Sequence, residues 1–363
     1  MKQIIYLFFI LTQTSSVVFS QTQNDKIDTL IQSYADLNKF CGNVLIVDGD
    51  KVIFEKSYGL ADREFYIPNS RNTKFRIASL TKQFTAVLIL QLAEAGKLNL
   101  HTPISEYLPY YRKQIGDRIT LHQLLSHTAG LPEYTERDDF FSDISKHFYT
   151  HKEFVKKFCS DNLLSEPGTE YKYSNADYYI LGAIIEEVTH QSYAEVLQKN
   201  ILDVSNMKNT GVENSSTIIK EKAKGYNFNS NTYFNADYID ILSTIFSAGA
   251  IYSTTDDLLL WDKALYSDKL ISKKSRDLMF TPVLANYGYG VGITKFVVPD
   301  LHKEMHFIFH QGAINGFRSI MTHIVNENVL IIILCNNFNI DLNPINNAIF
   351  SILHNQPYTI PSK

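Results

Sequence analysis

Strand-like segments occur at both ends of the chain, and helical segments fill the middle. The first two, 42–47 and 51–58, are joined by Asp48-Gly49-Asp50, which is a hairpin signal. Further strand-like runs lie at 290–298, 307–310, 317–324 and 329–336. Helical patterns lie at 25–40, 119–126, 152–159, 176–189, 193–200, 256–266 and 343–353. This arrangement predicts an α+β fold: one antiparallel sheet built from both termini and flanked by helices, with an inserted, mostly helical lobe.

The length and composition suit one large domain with two lobes. The chain has 363 residues, of which 45% are apolar, so a large core is possible. We expect an α/β lobe at about 25–104 and 241–363 and a helical lobe at about 105–240. An active site would lie where the two lobes meet.

The first twenty residues are typical of a secretory signal. Lys2 is followed by an apolar run at 4–11, and Ser20 offers a small residue at a cleavage point before Gln21. Eight apolar residues are too few to span a bilayer, which disfavours the alternative, a membrane anchor. We expect cleavage near Ser20, export to the periplasm or the medium, and a mature hydrolase domain at 21–363 without a membrane span.

The charge and the cysteines exclude several classes of protein. Removal of Lys2 changes the formal charge from −4 to −5, which gives no sign of nucleic-acid binding. Three cysteines, Cys41, Cys159 and Cys335, permit at most one bridge. We expect no disulfide framework, and we interpret Cys41 and Cys335, which lie beside or within apolar runs, as small buried residues.

Two sets of histidines are spaced by four residues but do not predict a metal site. They are His147 with His151, and His302 with His306 and His310. Neither set has the His-Glu-x-x-His form of a metalloprotease. Residues four apart in a strand are about 13 Å distant and cannot share a metal. We therefore expect no metal.

Ser79 begins a long apolar segment that ends at Gly96. Lys82 follows one helical turn later on the same face, which is one way to activate a serine nucleophile. The helix N-terminus would favour an anion that develops there. The spacing alone is weak, because Ser205 and Lys208 share it and a helix cap with a surface lysine also fits.

A second element places Tyr173 and Asn175 on a loop between a Pro-Gly turn and a helix that begins at residue 176. A tyrosine can act as a general base if a cation such as Lys82 lowers its pKa. Asn175 could hydrogen-bond an amide or the lysine. The alternative is a packed tyrosine and a capping asparagine, and the same triplet recurs at Tyr233 and Asn235.

A third element, His310-Gln311-Gly312-Ala313, lies between two strand-like runs. Gly312 on an edge strand would let a substrate backbone approach closely. The N–H of Ala313 could then bind an oxyanion. The alternative is a hairpin loop with a structural histidine.

In this order, the three elements resemble those of the serine β-lactamase and penicillin-binding-protein superfamily. They are most similar to its class C β-lactamase and DD-peptidase-like branch, which carries Ser-x-x-Lys, Tyr-x-Asn and then Lys-Thr-Gly or His-x-Gly. Segments 124–132, 247–258 and 287–292 also resemble that branch, and the resemblance covers roughly residues 35–340. It favours Ser79 over Ser205 and Tyr173 over Tyr233.

The resemblance implies a role for each residue and no metal or cofactor. Ser79 would be the acylated nucleophile, and Lys82 and Tyr173 would share its proton transfer, although which one is the base stays open. Asn175 would position the substrate amide and Lys82. The N–H groups of Ser79 and Ala313 would form the oxyanion hole.

Two further residues matter to the implied site. His310 would line it where many relatives have lysine. His127 could suggest a Ser-His-Asp triad. The resemblance instead makes His127 structural, with a bond across its own turn.

The third motif departs from the best-known members, because it reads His-Gln-Gly. His310 would be mostly neutral at pH 7, and Gln311 is bulkier than threonine. Both changes weaken the case for fast turnover of penicillins or cephalosporins. The first hypothesis is thus a secreted serine hydrolase that cleaves an ester or amide, such as a small ester or a D-amino-acid peptide.

Two alternatives remain open. One is a β-lactamase or DD-carboxypeptidase, and the other is a non-catalytic penicillin-binding or sensor protein. The expected partner is a small-molecule or peptide substrate, with no nucleic acid, and the oligomeric state is open. The aromatic loops 107–112 and 134–148, including Tyr134, would form either the substrate rim or lobe packing.

Overall fold

A computed structural model describes residues 22–298 and 302–362. The predicted signal segment lies outside the described residues. The strands are β1 Gly42–Asp48, β2 Lys51–Tyr58, β3 Leu60–Asp62, β4 Ile67–Pro68, β5 Phe75–Arg76, β6 Gly211–Val212, β7 Tyr226–Asn229, β8 Thr232–Asn235, β9 Ile251–Ser253, β10 Gly292–Val298, β11 Lys303–Ile314, β12 Phe317–Ile324 and β13 Val329–Cys335.

The main sheet joins the two ends of the chain. Its antiparallel order is β10-β11-β12-β13-β1-β2, and β1 pairs with β13 from Gly42 opposite Cys335 to Asp48 opposite Val329. The predicted sheet built from both termini is therefore confirmed, and so is the α+β class.

Helices flank this sheet and form most of the central segment. They are α1 Gln23–Asp36, α2 Thr81–Glu94, α3 Lys113–Gly116, α4 Leu121–Leu125, α5 His151–Phe158, α6 Asn175–Thr189, α7 Tyr193–Leu197, α8 Asp203–Ser205, α9 Ile241–Thr244, α10 Thr255–Leu265, α11 Lys273–Met279 and α12 Asn343–Leu353. Short 3-10 turns lie at Ala78–Leu80, Ile104–Glu106, Tyr134–Glu136, Ile144–Lys146 and Phe246–Ala248, and a π-helical turn lies at Gln198–Leu202. The proposed lobe boundaries stay a prediction.

The central strands are buried on both faces, which explains their continuous apolar sequence. In β1, Val44 and Ile46 pack with α1 and α12 on one face, whereas Leu45 and Val47 join the larger core on the other face. This larger core includes nearly all of α2, which is buried from Thr81 to Leu90. Helix α2 therefore lies between the sheet and the helical segment, where the predicted site was expected.

One local prediction was wrong, and one element was missed. Helix α1 ends at Asp36 instead of residue 40, because Asn38 has a left-handed backbone (φ 57°) that reverses the chain. The central segment also contains the β7–β8 hairpin, where Ser230 and Asn231 both have positive φ. Short polar turn residues of this kind carry little periodic signal.

The cysteine prediction is confirmed, because Cys41, Cys159 and Cys335 are all buried and free. Among the described residues, no helix is both long and apolar enough to cross a membrane.

Candidate active site

Ser79 lies in the 3-10 turn directly before α2. The preceding residue, Ala78, has φ 48°, an uncommon conformation for a residue with a Cβ. Strand β11 packs directly against this turn at Gly312, where a Cβ would collide with the Ile77 carbonyl and the Ser319 hydroxyl. The glycine at 312 is thus required by the close approach of β11 to the turn that holds Ser79.

Lys82 is the second residue of α2, one turn after Ser79, and it is completely buried. Its Nζ donates to Ser79 Oγ at 3.1 Å, to Asn175 Oδ1 at 2.7 Å and to the Ala248 carbonyl at 2.9 Å. These three acceptors come from the 3-10 turn before α2, from the first residue of α6 and from the 3-10 turn at Phe246–Ala248. The lysine therefore connects three elements around the serine hydroxyl.

Burial lowers the pKa of Lys82 to about 7, although the carboxylates of Glu133 and Asp177 act to raise it. An amine with this pKa is present in both its charged and its neutral form at neutral pH. The neutral form can accept a proton from Ser79.

Tyr173 lies beside this pair. Lys82 Nζ is 4.9 Å from the centroid of its ring. The condition for Tyr173 to act as a base, a pKa lowered by Lys82, is not met. Burial raises that pKa far above its usual range, and it outweighs the lowering effect of the nearby Ser79 hydroxyl. The phenol is therefore neutral in the free site and can donate a proton.

His310 faces Tyr173 from β11. It lies within a continuous strand, so its predicted place between two strands was wrong. Strand β10 pairs only as far as Phe309, which leaves 310–314 as an open edge. His310 Nδ1 donates to the Gln311 carbonyl at 2.6 Å, and Nε2 accepts from the Tyr287 hydroxyl at 2.9 Å. Burial, with the charge of Lys82, lowers its pKa to about 3, so His310 is neutral at pH 7.

Two cavities meet the site. A small one of about 90 Å³ is lined by Ser79, Asn175 and Ala313 together with apolar side chains such as Phe141. A larger one of about 490 Å³ is lined by Tyr173, Tyr287 and His310. Ser79, Asn175 and Ala313 thus surround one space that a reacting group could enter.

The aromatic loops 107–112 and 134–148 were expected to form either the substrate rim or lobe packing, and the structure divides them between the two. Tyr134 is buried and donates to the Thr244 carbonyl at 2.8 Å, so it belongs to the core. From 134–148, Thr135 and Phe141 line the small cavity, whereas no residue of 107–112 lines either cavity.

Glu133 is a residue of the site that the sequence analysis missed. Its carboxylate accepts the backbone N–H of Asn175 and, through its other oxygen, the N–H and the hydroxyl of Thr135. It therefore fixes the start of α6 and places a negative charge near Lys82. The only signal was its position directly after segment 124–132.

His127 bonds to α6 instead of across its own turn, so that expectation was wrong. Its Nδ1 lies 2.8 Å from Asp177 Oδ2 and accepts the backbone N–H of Ser174 at 3.3 Å. Burial raises the pKa of the Asp177 carboxyl and lowers that of the His127 imidazole. The ring of His127 packs at a tilt against that of Tyr173, with the two centroids 4.3 Å apart, so His127 supports the site.

The competing sequence matches are not brought together with these residues. Ser205 is buried at the end of α8, whereas Lys208 is exposed. Tyr233 and Asn235 lie in the β7–β8 hairpin, where Asn235 donates to Glu64 Oε1 at 3.1 Å.

The two histidines of the first set that was considered for a metal bind carboxylates instead. His147 contacts Asp143 at 2.9 Å, and His151 contacts Glu186 at 2.7 Å. In the part of the chain that the structure describes, no three metal-ligating side chains lie close enough to share an ion.

Known proteins match both this fold and this sequence. A family model described as Beta-lactamase matches residues 27–353. Penicillin-binding protein 4* of Bacillus subtilis (strain 168) is 31% identical, over 94% of this chain and 79% of its own. The crystal structure of a penicillin binding protein from Bacillus halodurans is 26% identical, with a TM-score of 0.75 over 90% of this chain and 97% of its own.

A further structure shows similarity of fold. D-amino acid amidase from Ochrobactrum anthropi SV3, complexed with L-phenylalanine, is 23% identical, with a TM-score of 0.78 over 92% of this chain and 98% of its own. With the family match over most of the chain, the class of protein is established as a serine hydrolase. The chain belongs to the serine β-lactamase and penicillin-binding-protein superfamily.

Proposed function

We propose that this protein is an exported serine hydrolase that cleaves a small ester or a D-amino-acid amide or peptide through an acyl-enzyme on Ser79. The observation that carries the proposal is the buried Lys82, whose Nζ lies 3.1 Å from Ser79 Oγ and whose pKa is about 7. A general base is most effective when its pKa is near the working pH.

The reaction follows from these contacts. Neutral Lys82 takes the proton of Ser79 as Oγ attacks the carbonyl carbon, and the N–H groups of Ser79 and Ala313 bind the oxyanion. The proton then passes through Tyr173 to the leaving alcohol or amine, and the C–O or C–N bond breaks. A water molecule attacks the acyl-enzyme in the second half, which returns the proton to Ser79.

The properties of the two cavities favour neutral substrates with a small acyl group. The cavity at Ser79 is about 90 Å³ and partly apolar, which limits the size of that group. His310 is neutral and already bonded to Tyr287, so it offers no charge to a substrate carboxylate. The fold of D-amino acid amidase is consistent with an amide substrate.

A second candidate is a β-lactamase or DD-carboxypeptidase, and the observation in its favour is the 31% identity to a penicillin-binding protein. A non-catalytic binding protein is a third reading. The complete set of Ser79, Lys82 and Tyr173 speaks against it, because binding alone does not need a proton-transfer pair.

Hydrolysis of a p-nitrophenyl acetate and of a chromogenic cephalosporin, measured in parallel, tests the proposal. We expect ester turnover that is lost in Ser79→Ala by at least about a thousandfold, with little cephalosporin turnover. Ser205→Ala is the matched control and should retain ester turnover. Fast cephalosporin turnover would support the second candidate, and a stable acyl adduct without turnover would support the third.

Export rests on the sequence of the first twenty residues. Mass spectrometry of the protein recovered from its native host should give a chain that begins at about Gln21. An intact Met1 in the recovered protein would contradict it.

A further inference from the structure

A buried histidine and a buried aspartate lie directly behind the reacting residues. His127 Nδ1 is 2.8 Å from Asp177 Oδ2, and the two side chains are 0% and 1% exposed. The ring of His127 packs 4.3 Å from that of Tyr173 and 5.0 Å from that of Tyr287. We call His127 and Asp177 the support pair. It contacts Tyr173 without lining either cavity of the site.

The support pair holds the segment that carries Tyr173 from both sides. The His127 carbonyl accepts the backbone N–H of Lys172 at 2.8 Å, one residue before the tyrosine. Asp177 lies in the first turn of α6, four residues after the tyrosine. The contact within the pair therefore connects Lys172 to the start of α6 and closes around Tyr173.

Keeping this pair buried costs free energy of folding. His127 Nε2 and Asp177 Oδ1 are buried and have no hydrogen-bond partner among the described residues. Native structures leave few such groups, and packed apolar residues are often at least as stable as a buried polar pair. The backbone of His127 also has φ 55°, in the left-handed region. Features of this kind cluster at functional sites, so they support a role beyond packing.

We propose that His127 and Asp177 are positioning residues that hold the Tyr173 hydroxyl where it protonates the leaving group. The proposal rests on the function proposed above. In that reaction Tyr173 gives its proton to the leaving oxygen or nitrogen as the bond from that atom to the acyl carbon breaks. The proton that Lys82 took from Ser79 then restores the phenol. Misplacement of a reacting group by about 1 Å can lower a rate about a hundredfold.

The substrates that depend on the support pair should be those with poor leaving groups. Ethoxide is too basic to leave without a proton, whereas p-nitrophenolate leaves as the anion. Ethyl acetate and p-nitrophenyl acetate carry the same acetyl group, so the ratio of kcat/KM for the p-nitrophenyl ester to that for the ethyl ester reports protonation of the leaving group. A loss of folded protein lowers both values and leaves this ratio unchanged.

Two substitutions of Asp177 test the pair. Asp177→Ala removes the contact with His127 and should raise the ratio about ten- to a hundredfold. Asp177→Asn keeps a side chain of the same size that can bond to His127, and it should keep the wild-type ratio. Both variants lose the same charge, so they remove the same electrostatic effect on the pKa of Lys82.

The chain offers a matched control. Asp262 contacts His323 at 2.9 Å in another buried pair, which lines neither cavity of the site. Asp262→Ala should therefore keep the wild-type ratio. His127→Asn is a further variant that breaks the support pair, because asparagine tolerates a positive φ but lacks the ring that packs against Tyr173. It should raise the ratio as Asp177→Ala does.

Two results would overturn the proposal. One is an unchanged ratio in folded Asp177→Ala or His127→Asn. The other is an equal rise in Asp177→Asn or Asp262→Ala, which would assign the effect to charge or to general loosening of the core.

A measurement without substrate separates this proposal from the function proposed above. If the wild type cleaves neither ester, that function fails, but NMR of isotope-labelled tyrosine still reports the Tyr173 ring, assigned with Tyr173→Phe. We expect one set of ring signals in the wild type and in Asp177→Asn, and a broadened or doubled set in Asp177→Ala. A single narrow set in Asp177→Ala would overturn the proposal.

Discussion

The Ser79 cleft has two walls that differ in their buried ionisable group. The helix wall is the start of α2 with Lys82, and the strand wall is the open edge of β11 with His310. On the helix wall, Lys82 donates three hydrogen bonds and has a pKa of about 7. On the strand wall, His310 is also buried, but one nitrogen donates to the Gln311 carbonyl and the other accepts from Tyr287, and its pKa is about 3. Carboxylates near Lys82 oppose the effect of burial there, whereas Lys82 itself adds to that effect at His310.

Because of this difference, proton transfer depends on the helix wall, whereas the preference for charged or neutral substrates depends on the strand wall. The helix wall can exchange a proton at neutral pH, which acyl transfer requires. The strand wall presents no positive charge to a substrate carboxylate. The same fold can therefore retain the acylation residues while its preference shifts to neutral substrates.

The largest expected effect is the loss of the base on the helix wall. Lys82→Met should lower kcat/KM for the ester about 10²- to 10⁴-fold, because it removes the group that accepts the serine proton. Lys208→Met is the matched control, with the other Ser-x-x-Lys lysine changed, and should retain wild-type activity. If Lys82→Met kept most of the activity, the role of the helix wall would be refuted.

The same variant should be more stable than the wild type at pH 7. Methionine removes the cost of burying the ammonium, and replacing buried ionic groups by packed apolar ones is often neutral or stabilising by about 1–4 kcal/mol. The folded-state pKa of Lys82 is about 7 and its usual value is 10.5, so the unfolded state binds more protons between these pH values. Wild-type stability should then rise with pH in that window. Chemical denaturation at pH 7 and pH 10 should show that the free energies of unfolding of Lys82→Met and the wild type differ less at pH 10. A larger difference at pH 10 would contradict the lowered pKa of Lys82.

A positive charge on the strand wall should increase the preference for substrates that carry a carboxylate. His310→Lys should raise the ratio of cephalosporin to ester kcat/KM by about tenfold, because an ammonium can bond the substrate carboxylate. His310→Gln, which stays neutral, should leave that ratio unchanged. A similar rise in both variants would mean that size matters at this position and charge does not.

The smallest effect concerns Glu133. Its carboxylate acts to raise the pKa of Lys82, so Glu133→Gln should lower that pKa and move the acidic limb of the pH profile to lower pH. The glutamine oxygen can still accept from the Asn175 N–H. Glu136→Gln in the same loop serves as the control. If the acidic limb of the pH profile stayed at the same pH in Glu133→Gln, the charge of Glu133 would not influence the pKa of Lys82.

Much of the fold was predictable because its signals are local and repeated. Strand β2 and helix α12 were predicted at their observed bounds, since Gly49 and Gly59 flank the strand and Pro344 and Asn355 mark the two ends of the helix. The end of α1 and the β7–β8 hairpin were missed, because both depend on left-handed polar residues such as Asn38 and Ser230.

The site was predictable in its members but not in its electrostatics. Ser79, Lys82, Tyr173 and Asn175 were named from ordered motifs, and the structure brings them together. The sequence left open whether Lys82 lowers the pKa of Tyr173, and in the fold burial raises it. Burial is a property of the whole fold and has no local signal. Glu133 was missed for the same reason, since nothing in its local sequence shows that it contacts α6.

The pH dependence of kcat/KM for the neutral ester tests the account most directly. We predict that it falls about tenfold per pH unit below a pKa near 7, is level above it, and keeps this limb in His310→Gln. A profile that is flat from pH 5 to 9, or a limb that disappears in His310→Gln, would contradict the claim that Lys82 is the titrating base.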